Sequence, residues 1–307
     1  MYIETPTLNH ELINTGFIDK IFSGRIKEAQ EQSSLFIRAM LHEDGILRRL
    51  FENRVITADE LDPELDNDQP SVICEKEPDA PQATFVSFKG TGPQKYFNGK
   101  RFRVPFGKIE SDRENKSKFE LMTIRMPITD WLKEHQVKAI QNEEDKAFFG
   151  AVNDIVEKNP ANQSLSCPIS TGDVNLLDVF TIGKNALRTL LLPIGKVAMH
   201  ANTFDTWGAK LQHDVISNDD MKERLDRGTM GESSFFGTPI VTTIKSDIIP
   251  ENVIYFFAPQ EYFCKFFLLQ DATLYLETKA DMIAFHTYEA PGLGIGNTNG
   301  VVKVTLV

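Results

Sequence analysis

The chain lacks the patterns that mark disulfide-rich, zinc-binding and membrane-spanning proteins. Its 307 residues include only three cysteines, Cys74, Cys167 and Cys264, which lie too far apart for a disulfide framework or a zinc site. No apolar run approaches the roughly 20 residues of a membrane span. The first residues contain no basic segment followed by an apolar one, so we find no signal peptide. These absences favour a globular chain in a reducing compartment.

An excess of positive charge is also missing. The sequence has 33 basic and 44 acidic residues, a net charge of −11. Such a chain is a poor candidate for coating nucleic acid, which requires neutralisation of phosphates. A content of 41% hydrophobic and 25% charged residues is typical of a globular protein.

No combination of residues indicates a catalytic, cofactor or metal site. The glycine-rich stretch 292–300 precedes a predicted strand, whereas a dinucleotide fingerprint requires a following helix, so we interpret 291–300 as a surface loop. The six histidines are scattered, and we assign His200 and His286 structural roles at strand ends. Glu143-Glu144-Asp145 is interpreted as the solvated face of a helix and Cys264 as a buried, inert thiol. We therefore predict a protein that is not an enzyme, with no cofactor and no metal.

Apolar periodicity predicts helices near the start and the middle of the chain. Residues 8–56 have apolar residues at three- and four-residue spacing, with breaks at Gly24 and Gly45. This region can pack on its own domain, which we favour, or dock on a neighbouring molecule. A second, unusually long helix is predicted from Pro127 to about residue 158, where Asn159-Pro160 ends it.

Two oppositely charged segments lie between these helical regions. Residues 57–80 contain nine acids and only Lys76 as a base, together with three prolines, and we predict an extended arm rather than a packed element. Residues 83–126 are predicted to form a long β-hairpin. Nine bases and three acids between Lys89 and Lys118 make this hairpin basic. Its predicted parts are strands at 83–88, 101–109 and 119–126 and a polar tip at 111–117.

The remainder is predicted to be a mixed α/β unit followed by a strand-rich end. The aromatic cluster of residues 255–267 contains only one basic residue, Lys265, which favours core packing over base stacking. The predicted helices are 173–192, capped by Asp173, 202–211 and 219–225. The predicted strands are 196–200, 240–244, 252–258, 263–269, 272–278, 282–286 and 301–307.

This order of parts resembles the Hong Kong 97-type major capsid proteins of tailed bacteriophages, whose relatives include the encapsulin shells. The resemblance covers most of the chain, and the order of the segments is more specific than any single one. The similar segments are KAIQNEEDKAFFGAV (138–152), STGDVNLLDVF (170–180), KVAMHANTFDTW (196–207), GESSFFGTPIVTT (231–243) and AFHTYEAPGLGIGNTNGVVKVTL (284–306).

The resemblance implies an α+β fold of the Hong Kong 97-like capsid type. Its expected divisions are an N-terminal arm with helices and an acidic linker (1–81), an extended E-loop hairpin (82–126), the spine helix of the P-domain (127–160), an α/β A-domain (161–258) and closing strands, mainly of the P-domain (259–307). Some relatives link an E-loop lysine covalently to an asparagine of a neighbour, but no local motif assigns such a pair here.

The implied function is that of a major capsid protein. Such subunits assemble as hexamers and pentamers into an icosahedral phage head around double-stranded DNA, which is packaged without sequence-specific binding. The expected partners are other copies of the chain, a portal, a separate scaffolding protein and a decoration protein, and the expected locations are the virion and, during assembly, the host cytoplasm. The alternatives are an encapsulin-type nanocompartment shell and a soluble α/β enzyme.

The charged segments suggest a hypothesis about contacts between subunits. The arm carries a net charge of −8 and the hairpin +6, so the arm of one subunit can select the register of another subunit's hairpin. Each exposed pair would contribute about 0–1 kcal/mol. The candidate contact residues are Asp62, Glu64, Asp66, Asp68, Lys95, Lys100, Arg101, Arg103 and Arg113.

Overall fold

A computed structural model describes residues 16, 18–21, 23–63, 69–76, 84–92, 100–123, 131–167, 176–205, 233–235, 237–279 and 281–306. The predictions made for residues 1–15, Pro127, Asp173 and 206–232 lie outside these ranges. Within them, helices and sheets form the predicted α+β fold. No helix in these ranges is long and apolar enough to cross a membrane.

The described residues contain helices and strands throughout their length. The helices are α1 (Ile26–Asp44), α2 (Ile46–Leu50), α3 (Lys118–Thr123), α4 (Lys138–Lys158), α5 (Pro160–Gln163) and α6 (Leu176–Thr189). The strands are β1 (Asn53–Val55), β2 (Ser71–Glu75), β3 (Arg101–Pro105), β4 (Ile109–Glu110), β5 (Glu114–Ser117), β6 (Ser164–Cys167), β7 (Lys196–His200), β8 (Ser233–Phe235), β9 (Thr238–Thr243), β10 (Val253–Phe257), β11 (Cys264–Lys279), β12 (Met282–Ile295) and β13 (Val301–Leu306).

The first helices pack on their own chain, as we favoured. Ala29 and Ile37 on one face of α1 are fully buried and belong to one apolar cluster with Leu274 and Phe285 of the β11–β12 sheet. The predicted breaks are confirmed, because Gly45 separates α1 from α2 and Gly24 has a φ of +77°, which favours glycine.

A five-stranded sheet is built on the long β11–β12 hairpin. Its order is β1-β11-β12-β4, and β5 also pairs with β12. The strands predicted at 263–269 and 272–278 are one continuous strand with irregular register between Leu268 and Thr273. The prediction of a surface loop at 291–300 is wrong for residues 291–295, because these residues pair with Cys264–Leu268. Here Gly292 allows close packing, since an added Cβ would lie 2.8 Å from the ring of Phe106.

A six-stranded sheet has the order β6-β13-β10-β7-β9-β8. Three of its strands, β7, β10 and β13, match the predicted strands within one residue at each end, and β9 begins two residues earlier than predicted. Helix α6 covers one face, where an added Cβ on Gly183 would lie 2.6 Å from the ring of Phe256. The last strand of the chain, β13, therefore belongs to this sheet rather than to the β11–β12 sheet.

The acidic arm contains a packed strand, so the prediction of an extended linker is wrong for Ser71–Glu75. Strand β2 pairs antiparallel with β3 of the basic hairpin. The alternation in Ser71–Glu75 buries Val72 and Cys74, which pack with Val104 and other apolar side chains.

The prediction of a long hairpin over residues 83–126 is wrong for the described residues, because β3 pairs with β2, whereas β4 and β5 pair with β12. Two further details of this segment also differ. Residues 84–88 are not a strand, and Lys118–Thr123 forms a helix where we predicted a returning strand. Strand β5 lies within the predicted polar tip, and its backbone pairs with Met282–Phe285 of β12 at the edge of the five-stranded sheet. A polar strand suits such an edge, where one side remains solvated.

The long central helix is confirmed. A π-helical turn at Leu132–Val137 continues into α4, which ends at Lys158, just before Asn159-Pro160. Phe148 and Phe149 of α4 pack in the largest apolar cluster, together with Phe51 and Phe257. Over 21 residues, α4 extends roughly 30 Å.

Candidate assembly site

A buried ion cluster joins the N-terminal helices, the central helix and the five-stranded sheet. Arg48 of α2 donates from Nε and Nη2 to the two oxygens of Glu144 of α4, at 3.1 and 2.9 Å, and from Nη2 to Oε2 of Glu289 of β12 at 2.7 Å. The three side chains are 2%, 1% and 0% exposed. A buried pair of this kind requires good geometry and several hydrogen bonds to offset its desolvation.

The cluster holds one carboxyl group in its neutral form. Burial and repulsion from Glu144 raise the pKa of Glu289 from its ordinary value of 4.5 to about 9, against the opposing effect of Arg48. Oε1 of Glu289 accepts no hydrogen bond from the described residues and can carry the proton. Burial lowers the pKa of Arg48, but Glu144 and Glu289 outweigh it and the net pKa is raised. Arg48 is therefore always charged.

A second buried carboxylate extends the cluster towards the six-stranded sheet. Asp145 accepts a hydrogen bond from the Leu47 amide at 2.9 Å and one from Nζ of Lys245, just after β9, at 3.0 Å. Burial raises the pKa of Asp145, and the Leu47 amide and Lys245 oppose that shift. Four parts of the chain that are distant in sequence are thus fixed at one point.

The interpretation of residues 143–145 as a solvated face is wrong for two of the three. Glu143 is exposed, but Glu144 and Asp145 are buried. The signal was present in the spacing, because Glu144 lies midway between Ile140 and Phe148 at four-residue intervals. No pattern in the sequence indicates that Arg48 is the partner of Glu144.

Residues 84–92, which we call the aromatic loop, have exposed apolar side chains, in contrast to the buried charges of the ion cluster. Phe85 and Phe88 are fully exposed, and Val86 is half exposed. The amide of Gly90 donates to the carbonyl of Ser87 at 2.8 Å, which closes a turn with Phe88 and Lys89 at its tip. Such apolar exposure on an ordered turn suits contact with another molecule.

The structure brings parts of the acidic arm and the basic hairpin together within one chain. Arg103 lies 3.1 Å from Asp62, Arg101 lies 3.2 Å from Glu75, and Arg113 lies within 4 Å of both Glu110 and Glu277. Lys100 is exposed. The other candidate contact residues, Glu64, Asp66, Asp68 and Lys95, lie outside the described residues. A role between subunits remains a prediction for all nine candidates.

Comparison with solved structures identifies the fold. A virus-like particle from Pyrococcus furiosus matches with a TM-score of 0.51 and 17% identity, over 87% of this chain and 97% of that one. Structures from Microbacterium phage Oxtober96 and Mycobacterium phage Cain match with TM-scores of 0.59 and 0.58 and identities of 12% and 14%. These two matches cover 86% of this chain and 92% and 90% of the others. No family model and no curated protein matches the sequence.

This chain has the Hong Kong 97-like capsid fold. The resemblance assigns the long central helix to the spine helix and the segment around β3–β5 to the E-loop, and these assignments remain predictions. The boundaries assigned to the five divisions remain predictions.

The residues considered for chemistry, Cys264, His200 and His286, all lie in strands. Cys264 is buried and its burial raises the thiol pKa, as expected for an inert cysteine. His200 ends β7, and its Nδ1 accepts from the Asn202 amide at 3.1 Å. His286 lies inside β12 rather than at a strand end, and its ring stacks on Tyr275 with centroids 5.4 Å apart. The described residues contain no group of three or more acidic, histidine or cysteine side chains arranged to hold a metal.

The aromatic cluster also packs as predicted. Most of its rings are buried in the core around Phe257, which lies 5.7 Å from Phe263 and 6.2 Å from Tyr255, centroid to centroid. The buried rings are therefore not available for stacking on nucleic-acid bases.

Proposed function

We propose that this chain is a major capsid protein, which assembles as hexamers and pentamers into an icosahedral phage head around double-stranded DNA. The observation that carries the proposal is the extent of the fold similarity. About 86% of this chain aligns with 90–97% of chains from a virus-like particle and from phages. The similarity is therefore to a whole subunit rather than to one domain.

Two features of the chain support a role in assembly. The aromatic loop exposes Phe85 and Phe88. Contact between their aromatic rings and water is unfavourable, and a contact with another molecule would remove it. The net charge of −11 disfavours tight adhesion to packaged DNA, which suits later release of the genome.

The proposal includes the finer expectations of the resemblance. These are a structural rather than enzymatic role, a portal, a separate scaffolding protein, a decoration protein, a final location in the virion and assembly in the host cytoplasm. Co-purification of particles from infected cells, followed by mass spectrometry, tests each of these partners.

The test is assembly of the expressed chain. We expect size-exclusion chromatography to give material in the void volume and negative-stain microscopy to show closed shells, with or without a co-expressed scaffolding protein. A small, homogeneous oligomer under all of these conditions would contradict the proposal and favour the enzyme alternative. Particles from the native source that contain a protein cargo and no nuclease-protected DNA would favour an encapsulin-type shell.

The charged arm and hairpin make a separate prediction about assembly rate. We expect Lys95→Glu with Lys100→Glu to slow shell formation, because the two lysines add to the +6 hairpin that attracts a neighbour's −8 arm. Light scattering at low and moderate salt measures the rate, and screening over about 8 Å should reduce the difference at physiological ionic strength. Lys95→Arg with Lys100→Arg is the matched control. Equal rates for all three proteins would refute the charge hypothesis.

A further inference from the structure

The turn that follows helix α6 holds a leucine in a backbone conformation that favours glycine. Leu191 has a φ of +59°, and it is the only residue other than glycine with a positive φ in the part of the chain that the structure describes. In this left-handed region the Cβ atom of an L-residue lies too close to a carbonyl oxygen, and asparagine and aspartate are the usual exceptions because they form local hydrogen bonds. Leucine has no polar group to form such a bond, so the turn is strained.

The hydrogen bonds of this turn require the left-handed conformation. The amide of Leu192 donates to the carbonyl of Leu187 at 3.0 Å, and the amide of Leu191 donates to the carbonyl of Arg188 at 2.9 Å. This pair of bonds is the Schellman pattern of helix ends, in which the residue at the position of Leu191 is most often glycine. The fold therefore specifies a left-handed residue here, but the pattern does not specify leucine.

The side chain of Leu191 contributes little to the interior of its own subunit. It is 91% exposed, although its neighbours in sequence point inwards. Leu192 is buried in the largest apolar cluster, and Leu190 packs against the cluster between α6 and the six-stranded sheet. The amide of Gly195 donates to the carbonyl of Phe257 at 2.8 Å. The turn is thus fixed on both sides of Leu191, which leaves its side chain pointing into solvent.

We propose that Leu191 is a contact residue between copies of the chain: its side chain packs into the surface of a second copy, and the turn holds it exposed for that contact. In an isolated subunit the leucine is unfavourable twice, through its strained backbone and through the contact of its side chain with water. Burial against a second copy removes the second effect and offsets the first. The inference rests on the proposed function, since a shell is what brings the copies together.

Area and charge favour a second copy over an unrelated protein. Leu191 and the exposed Pro193 offer far less surface than the about 800 Å² per partner of a stable complex. An unrelated protein could not bind through this contact alone, whereas a neighbouring copy in a shell is also held by the rest of its interface. Arg188 is exposed in the last turn of α6, and it suits a partner whose net charge is −11.

Substitutions at this one position separate the backbone strain from the contact. Leu191→Gly removes the strain and the side chain together, so we expect the urea midpoint of unassembled subunits to rise and the shell yield to fall at least several-fold. Leu191→Ala retains the strain and removes most of the side chain, so the yield should fall without a rise in the midpoint. Leu191→Met is the matched control, because it keeps an apolar side chain of similar volume and should match the wild type in both measurements.

Thiol alkylation identifies what covers the position. Leu191→Cys should react with a maleimide in unassembled subunits, and the wild-type chain, whose three cysteines are buried, gives the background. In purified shells that contain only this chain, we expect the reaction to slow at least tenfold, and dissociation of the shells should restore it. Protection in such shells can come only from another copy of the chain. An unchanged rate in these shells would overturn the inference.

The outcomes distinguish this inference from the proposed function. If wild-type chains form shells and Leu191→Gly forms them with equal yield, the inference fails and the proposed function stands. A urea midpoint of Leu191→Gly at or below that of the wild type would remove the strain and would also overturn the inference. If wild-type chains form no shells under any of the conditions given above, the proposed function fails and the inference fails with it.

Discussion

The buried ion cluster and the aromatic loop invert the usual distribution of side chains. In the cluster, Arg48, Glu144 and Glu289 place charges in the interior, where each has partners from distant parts of its own chain. In the loop, Phe85 and Phe88 place aromatic rings in solvent, and the described residues of the same chain do not cover them. Charged groups are normally exposed and large aromatic groups normally buried.

The difference between the two regions separates what one subunit stabilises from what it offers to a neighbour. The cluster is complete within one chain, so its residues should determine the stability of the subunit. The aromatic loop is incomplete within one chain, so its residues should affect assembly and leave subunit stability unchanged. Substitutions that measure the unfolding of a single subunit can test this division.

The largest difference is expected between two phenylalanines. Phe257 is fully buried, and its ring centroid lies 5.6–5.7 Å from those of Phe51, Phe148 and Phe263. Phe257→Ala should lower the free energy of unfolding by about 3–5 kcal/mol, because it removes buried apolar surface and leaves a cavity. Phe85→Ala, the matched exposed control, should change it by no more than about 0.5 kcal/mol. Urea denaturation of unassembled subunits measures both.

A comparable loss for Phe85→Ala would contradict the division. It would mean that the aromatic loop packs on its own chain before assembly.

A similar loss is expected when the cluster loses its cation. Arg48→Met leaves Glu144 buried without its main partner and should cost about 3–5 kcal/mol of unfolding free energy. Arg49→Met is the neighbouring control, because the Arg49 side chain is only partly buried and reaches the Thr242 carbonyl at 3.4 Å. Its substitution should cost less than about 1 kcal/mol. Equal effects would show that the cluster contributes no more than a surface contact does.

Local patterns in the sequence predicted the elements that local physics determines. The helical break at Gly45, the end of α4 before Pro160 and the core strand Val253–Phe257 follow from periodicity, backbone freedom and a continuous apolar run. The order of these elements, rather than any one of them, indicated the fold.

The failures occurred where distant pairing decides the outcome. Glu144 meets Arg48 across 96 positions and Glu289 meets Arg48 across 241, so no spacing rule joins them. The glycine-rich stretch 291–295 has a loop composition but pairs with β11. Gly292 and Gly294 have no side chains, and the side chains of Phe106 and Val104 pack closely against them. The exposure of the aromatic loop likewise depends on what the rest of the chain leaves uncovered.

The smallest effect at pH 5 is expected for Glu289→Gln, which mimics the protonated side chain. The folded state holds the pKa of Glu289 at about 9, above its ordinary value of 4.5, so folded subunits keep a proton that unfolded chains release between these pH values. Wild-type stability should therefore fall as pH rises through this window, by up to about 1.4 kcal/mol per pH unit from this group. Glutamine cannot titrate, so the variant should lose this part of the decline. Urea denaturation from pH 5 to pH 9 measures the two slopes.

Glu143→Gln provides the control, because Glu143 precedes Glu144 on the same helix but is exposed. Its pH profile should be parallel to that of the wild type. If Glu289→Gln also gave a parallel profile, Glu289 would be ionised in the folded subunit at neutral pH, and Arg48 would be neutralising two buried carboxylates at once. The charge balance inside the cluster, and with it the contrast between a complete interior and an incomplete aromatic loop, would then need another cation near Glu289.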